Sequence, residues 1–344
     1  MKNYSRWLAL GAALVGLALF LYVIRQTGFA EIVAGVRTLG AGFGLILLLS
    51  ALRYVSRTGA WLACMLPAER AVGFWQLLRA RLAGEAVGDL TFGPLVAEPL
   101  RFVALGDRLT TKAGVSSLAV ENVAYTVTSG LMVLAGAAAL LTKLSLNESL
   151  KQTVYVAVAV VITLSLPIVF VIARRWKLAS QAAAWVTQRF IKRGNLRDRL
   201  IEQIGELSEL EDYVFDFYGK RRRAFVALLL CETLFHAGGV AEIFTTLMLL
   251  GAPVSLVTAF MLESLNRALN IAFMFVPALV GIDELGTGFV TAALGLGSTP
   301  GVTLAVIRKL RMFCWIGVGL VLLFGNQKAK GKRQKAKVEK EPAS

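Results

Sequence analysis

The chain has 344 residues, 56% of them hydrophobic and only 17% charged, with a mean hydropathy of +0.66. That balance excludes an ordinary soluble domain, which carries more charge and shorter apolar runs. The formal charge of +15 would suggest nucleic acid in a soluble protein; in a membrane chain it reflects Lys and Arg gathered on the cytoplasmic side, so no nucleic-acid partner is expected.

Apolar runs of about twenty residues, enough to cross the hydrocarbon core as helix, recur at 7–24, 42–66, 114–141, 153–173, 224–250 and 301–324. The first, WLALGAALVGLALFLYVI, follows Lys2 and Arg6 as the core of a signal peptide would. No small-x-small cleavage site follows it, and its length suffices to span, so it reads as a retained helix. Two further stretches, 83–105 and 255–298, are apolar but broken by Gly, Pro and charge. The segment 174–223 is amphipathic, with twelve Lys/Arg and seven Asp/Glu. The ending KAKGKRQKAKVEKEPAS is basic and of low complexity, and 326–344 is expected to be disordered.

These features predict an all-α polytopic membrane protein with one transmembrane domain over 1–325. Placing the basic tail, the 174–223 segment and the N-terminus in the cytoplasm calls for an even number of crossings, which six full spans satisfy. The two broken stretches then return to the side they came from, as re-entrant helical hairpins. The first half, 1–150, carries the hairpin at 83–105; the second, 151–325, carries the one at 255–298 in opposite orientation. This is a candidate inverted repeat, resting on hydropathy and charge. Interrupted hydrophobic segments at matching places in two halves point to the substrate site of a transporter.

The first interrupted segment holds PLVAEPLR. Pro94 has no backbone donor, so a helix restarts after it, and the new N-terminus offers free N–H groups to an anion. Arg101 adds an always-charged, forked donor suited to a phosphodiester head group. Glu98 is placed to pair with Arg101 or to meet a cationic head group. Upstream, Arg79, Arg81, Glu85 and Asp89 recur at near-helical spacing and read as a solvated or interfacial ion-pair ladder, Glu85 excepted. SSLAVENVAYT sets Glu121 inside a full span, where an acid needs a partner or a cavity; Arg101 is the candidate partner.

CETLFHAGGVAEIF puts Glu232 and His236 four residues apart on one helix face, a hydrogen-bonded pair and candidate proton relay. His236 is the only histidine, so a metal site is not indicated. In LESLNRALNIAFMFVPALVGIDELGTGF, Glu263 and Arg267 are again four apart in the favoured order. Pro277, Gly281 and Gly286 then break the helix around Asp283 and Glu284. Glu263, Arg267 and Glu284 read as buried and functional, with Asp283 and Arg308 as further candidates. Lys309 and Arg311 read as residues snorkelling to the interface. Cys64, Cys231 and Cys314 lie in or beside apolar helices without metal-like spacing, as packing residues. The chain carries neither a Walker A motif nor a Gly-Ser nucleophile elbow or metal-ligand set, so no catalytic residue and no cofactor are assigned and no enzyme is expected.

At these motifs the chain resembles the lysylphosphatidylglycerol synthase transmembrane-region family of flippase-like membrane proteins. Its first signature, P-x-x-x-G-E-x-x-R, is met by Pro94, Glu98 and Arg101, with one residue fewer before the Arg and Ala97 in place of Gly. The Glu-Arg pair of the next helix stands here as Glu121-Asn122. The second signature, P-G-G-x-G-x-x-E, is met by Pro277, Gly281 and Glu284, with Ala278 and Leu279 for the leading glycines. The family includes the lipid-translocating half of bacterial lysylphosphatidylglycerol synthases and stand-alone members, some linked to hopanoid biosynthesis. The resemblance implies a lipid translocator of the bacterial inner membrane without the synthases' aminoacyl-transferase domain. It would bind a polar-headed or anionic lipid through Glu98, Arg101, Glu121, Glu263, Arg267, Asp283, Glu284 and Arg308. The alternative is a non-catalytic subunit or scaffold presenting lipid to a partner lipid-modifying enzyme, in oligomeric form or not.

Overall fold

The computed structural model describes residue 37 and residues 39–67, 72–91, 93–143, 148–190, 195–252, 254–272 and 282–338. The span expected at 7–24 and the break at Pro277 and Gly281 lie outside these residues; the break expected at Gly286 does not occur, because that glycine lies inside the helix Ile282–Ala293. Among the described residues no strand occurs and every regular element is helical. In chain order the helices are α1 (Gly42–Cys64), α2 (Phe74–Gly88), α3 (Pro94–Leu105), α4 (Thr111–Lys143), α5 (Glu148–Arg174), α6 (Leu178–Phe190), α7 (Asn195–Lys220), α8 (Arg222–Leu249), α9 (Leu256–Ala272), α10 (Ile282–Ala293) and α11 (Ser298–Val338). A 3-10 turn at Gly106–Arg108 follows α3.

Among the described residues three stretches are long and apolar enough to cross a membrane: Thr111–Thr142 in α4, Val154–Arg174 in α5 and Arg222–Leu249 in α8. The helix α1 has 23 residues and carries Arg53 and Arg57 in its middle. The last helix, α11, continues to Val338, through most of the ending for which composition predicts disorder. Lys, Ala, Gln and Arg, which dominate that ending, are strong helix formers, and intrinsic propensity offsets the lack of an apolar face.

The first break forms where Pro94 demands it. Gly93 sits at φ 58°, ψ −129°, a backbone conformation closed to residues with a Cβ. Its carbonyl accepts the first bonds of α3, from Val96 (3.2 Å) and Ala97 (3.0 Å). Pro94 occupies the first turn of α3, where its missing donor costs nothing. The chain thus reverses between α2 and α3, and the two helices pack together as a hairpin.

Around this hairpin, α1 packs along α8, α2 along α11, α4 along α9, and α10 along α11. Ala83, Val87 and Leu90 of the α2 segment meet Leu100 of α3 and Phe313, Ile316 and Leu320 of α11 in one buried cluster. A second cluster joins Ala60 and Cys64 of α1 to Val120 of α4, Phe217 of α7 and Leu228 of α8. Two of these seams depend on glycine. A Cβ on Gly319 would lie 2.3 Å from the carbonyl oxygen of Leu82, and one on Gly136 would lie 2.2 Å from the Cβ of Ser264. Neither obstacle is the end of a flexible side chain, so the helices must move apart. Gly136→Ala and Gly319→Ala are each expected to destabilise by about 1–3 kcal/mol, read as a lowered unfolding temperature of the detergent-solubilised protein.

The pair α6 and α7 forms a charged layer. Glu211 of α7 accepts from Ala179 N (2.9 Å) and Ser180 Oγ (2.5 Å) at the start of α6, and Lys177 bridges to Asp212 at 2.6 Å. Hydrogen bonds from Lys220 and Arg175 hold the exposed Asp216 carboxyl below the usual carboxylate range.

Candidate functional site

A cavity of about 660 Å³ opens where both broken regions meet the long helices. Its lining holds seven Arg or Lys and four Asp or Glu, so the wall is cationic overall. Helix α1 supplies Arg53 and Arg57, α3 supplies Glu98 and Arg101, and α9 supplies Arg267. Asp283 comes from α10, and Arg308, Lys309 and Arg311 come from α11. Asn122, Tyr125, Thr126 and Ser129 of α4 and Asn266 and Asn270 of α9 complete the polar wall.

Two ionic chains hold these groups. In the first, Arg101 Nη2 and Arg81 Nη1 both donate to Glu85 Oε1, at 3.0 and 3.2 Å. Arg81 Nη2 reaches Glu121 Oε2 at 3.0 Å, and Arg57 Nη2 takes Glu121 Oε1 at 2.8 Å. Arg57 also stands 3.5 Å from Glu232 and lies over the Tyr125 ring at 3.9 Å. In the second chain, Glu263 Oε1 is 2.6 Å from Arg267 Nη2 and 3.6 Å from Arg53 Nη2. Arg53 Nη1 reaches Glu242 Oε2 at 2.9 Å, and Arg311 pairs with the same carboxylate. Arg267 Nη1 donates to the Tyr125 hydroxyl at 3.0 Å, so Tyr125 touches both chains. Phe235 lies beneath Arg53 and Arg267, at 4.8 and 4.6 Å, where a ring face adds attraction for a guanidinium.

These pairs do not use up the donors. Arg308 Nη2 bonds Asp283 Oδ1 (2.8 Å) and Thr287 Oγ1, while its Nε and Nη1 have no partner. Arg101 Nε and Arg267 Nε are likewise without one. All three arginines line the cavity and are 5–6% exposed. A buried charged donor left without an acceptor costs about 1–3 kcal/mol or more, so this wall is suited to an anion bearing several oxygens.

The structure sorts the expected site residues. Glu98, Arg101, Arg267, Asp283 and Arg308 line the cavity together. Glu121 and Glu263 lie behind the arginines as their counter-ions, and Glu284 pairs with Lys309 of the lining. Glu121 does not pair with Arg101, its expected partner in the same half of the chain; Arg57 and Arg81 take it, and Arg101 takes Glu85. Glu98 accepts from Asn122, the residue standing where the resembled motif has Arg. Glu232 and His236 share a helix face but not a bond: Glu232 turns to Arg57, and His236 Nε2 lies 3.2 Å from Thr128 Oγ1.

Three readings of cations are corrected. Arg81 is fully buried between Glu85 and Glu121 and is no solvated ladder residue. Lys309 is 3% exposed and Arg311 lines the cavity; each is held by an acid of another helix, where snorkelling would have left it in the interface. Arg53 and Arg57 escaped sequence reading altogether. Their signal was two arginines four apart inside an apolar run, a costly placement that a partnered interior alone explains.

An ion-lined interior walled by long apolar helices is the build of an integral membrane protein. The chain belongs to the lysylphosphatidylglycerol synthase transmembrane-region family, which matches it over residues 8–320. Comparison with curated proteins and with solved structures yields no match. Family membership makes it a multi-pass membrane protein with a membrane-lipid-related function.

Proposed function

We propose that the protein moves a polar-headed or anionic lipid between the leaflets of the bacterial inner membrane, as a flippase or scramblase without catalytic residues. The observation that carries this reading is the set of buried, partly unpaired guanidiniums of Arg101, Arg267 and Arg308 around one cavity. The head group would enter this cavity and exchange its hydration for these donors while its tails stay in the bilayer. Glu85, Glu98 and Asp283 would balance charge or meet amines and hydroxyls. No ATP motif is present in the sequence, so movement would be downhill or ion-coupled.

Helix packing supports an inverted-repeat architecture for this task. Six spans and two re-entrant hairpins would place α1, the α2–α3 hairpin and α4 in one half, and α8, the α9–α10 region and α11 in the other. Exchanging the halves converts the α2–α11 contact into the α9–α4 contact and maps the α1–α8 contact onto itself. The glycine seams follow the same exchange, Gly319 against α2 and Gly136 against α9. Termini and the α6–α7 layer would lie in the cytoplasm.

Purified protein in liposomes carrying head-group-labelled phosphatidylglycerol should expose the inner-leaflet label to an outside quencher at least tenfold faster than empty liposomes. Rates equal to empty liposomes across anionic and zwitterionic lipids would overturn translocation and favour a subunit that presents lipid to an enzyme.

A further inference from the structure

Outside the main cavity, a second hollow of about 580 Å³ lies at the junction of α7 and α8. Four consecutive cations, Lys220 to Arg223, line it, over a floor that includes Ala63 of α1 and Ala224 and Ala227 of α8. Two of the four are committed. Arg221 donates to the last carbonyls of the α1 segment, Cys64 O at 3.0 Å and Met65 O at 2.6 Å. Lys220 pairs with Asp216 at 3.0 Å. Arg222 and Arg223 are exposed and have no acidic partner among the described residues.

Two further features meet here. The start of α8 has no side-chain cap, so its first N–H groups lack a side-chain partner and the positive end of the helix lies at this junction. Along α8, Val226, Leu230 and Leu234 follow Arg222 at intervals of four, which puts all of them on one helix face. These three are 54%, 60% and 52% exposed, within a stretch apolar enough to span a membrane. A charged cup thus stands directly above an open apolar stripe on a membrane-crossing helix, the outline of an amphiphile.

We propose that this junction is a second lipid site, holding the phosphate of an anionic phospholipid between Arg222 and Arg223 with an acyl chain along Val226, Leu230 and Leu234. A free phosphate would use the cup but not the stripe, and a zwitterionic head group would bring its own cation into a cup already cationic. The site lies apart from the translocation cavity, which shares none of its lining residues. Its occupant is a resident lipid that braces the α1 end against α7 and α8, and it stands whether or not the cavity transports.

The test is a thermal-unfolding titration of delipidated full-length protein in neutral detergent. Phosphatidylglycerol is expected to raise the unfolding temperature of the wild type and of R222K/R223K. R222Q/R223Q is expected to require about thirtyfold more lipid for the same rise, since each Lys or Arg near the surface contributes about fivefold in anionic-lipid affinity. Leu230→Gln should also weaken the response, while phosphatidylcholine should give none and inorganic phosphate a far smaller rise than phosphatidylglycerol. An unchanged titration for R222Q/R223Q would overturn the site, and so would an equal effect of inorganic phosphate. A response lost in Arg308→Gln but kept in R222Q/R223Q would assign the bound lipid to the cavity instead.

Discussion

Glu121→Gln is expected to be the most destabilising single substitution in the protein, by about 3–5 kcal/mol. Both carboxylate oxygens of Glu121 are engaged, one by Arg57 at 2.8 Å and one by Arg81 at 3.0 Å. Glu121 and Arg81 are each 0% exposed. Glutamine keeps the shape but removes the charge, leaving two guanidiniums confined with one countercharge fewer. Arg81 retains Glu85 and the Arg57 carbonyl oxygen at 3.1 Å, but Arg57 keeps only Glu232 at 3.5 Å. The surface pair Lys112–Glu209, 68% and 58% exposed, provides the contrast: Glu209→Gln should change stability by less than about 1 kcal/mol. Unfolding temperatures in one detergent check both values, and comparable losses at the two positions would refute the buried-network account.

The comparison of sequence with structure divides along the range of the forces involved. The break before α3 was legible because it is local: Pro94 forbids the preceding helical bond, and Gly93 permits the turn. The Glu263–Arg267 pair was legible for the same reason, being one helical turn apart; the two side chains meet at 2.6 Å. The long apolar helices α4, α5 and α8 followed from run length.

What failed was the choice of partners between helices. Arg53 finds Glu242 across 189 residues of chain, and no spacing rule reaches that far. Spacing alone places Arg81 in a solvated or interfacial ladder, because Glu85 at i+4 satisfies it locally; its second partner, Glu121, is 40 residues away. Lys309 and Arg311 read as interfacial cations because they stand early in the last apolar run, yet Glu284 and Glu242 draw them inside. The general cue was available: an ionisable group within an apolar helix implies an interior partner, and applied evenly it would have included Arg53 and Arg57.

Arg308→Gln is expected to slow head-group translocation by roughly ten- to a hundredfold, with Arg101→Gln acting similarly, because each removes charge-assisted donors of about 1.5–3 kcal/mol apiece. Arg308 holds Nε and Nη1 without partners, and Arg101 holds Nε, all buried in the cavity wall, so a headgroup oxygen gains bonds there once the side chains turn toward it. The two residues come from different halves of the chain, and neither can replace the other. Arg308→Lys should recover part of the rate, since it keeps the charge but loses the planar fork. A structural cost accompanies Arg308→Gln, because Asp283 loses its 2.8 Å partner; the Asp283→Asn/Arg308→Gln double variant removes that stranded acid. If transport depends on the guanidinium, the double variant stays slow while its unfolding temperature recovers. If Arg308 serves only to hold α10 against α11, rate and stability recover together, and the cavity loses its role in binding the head group.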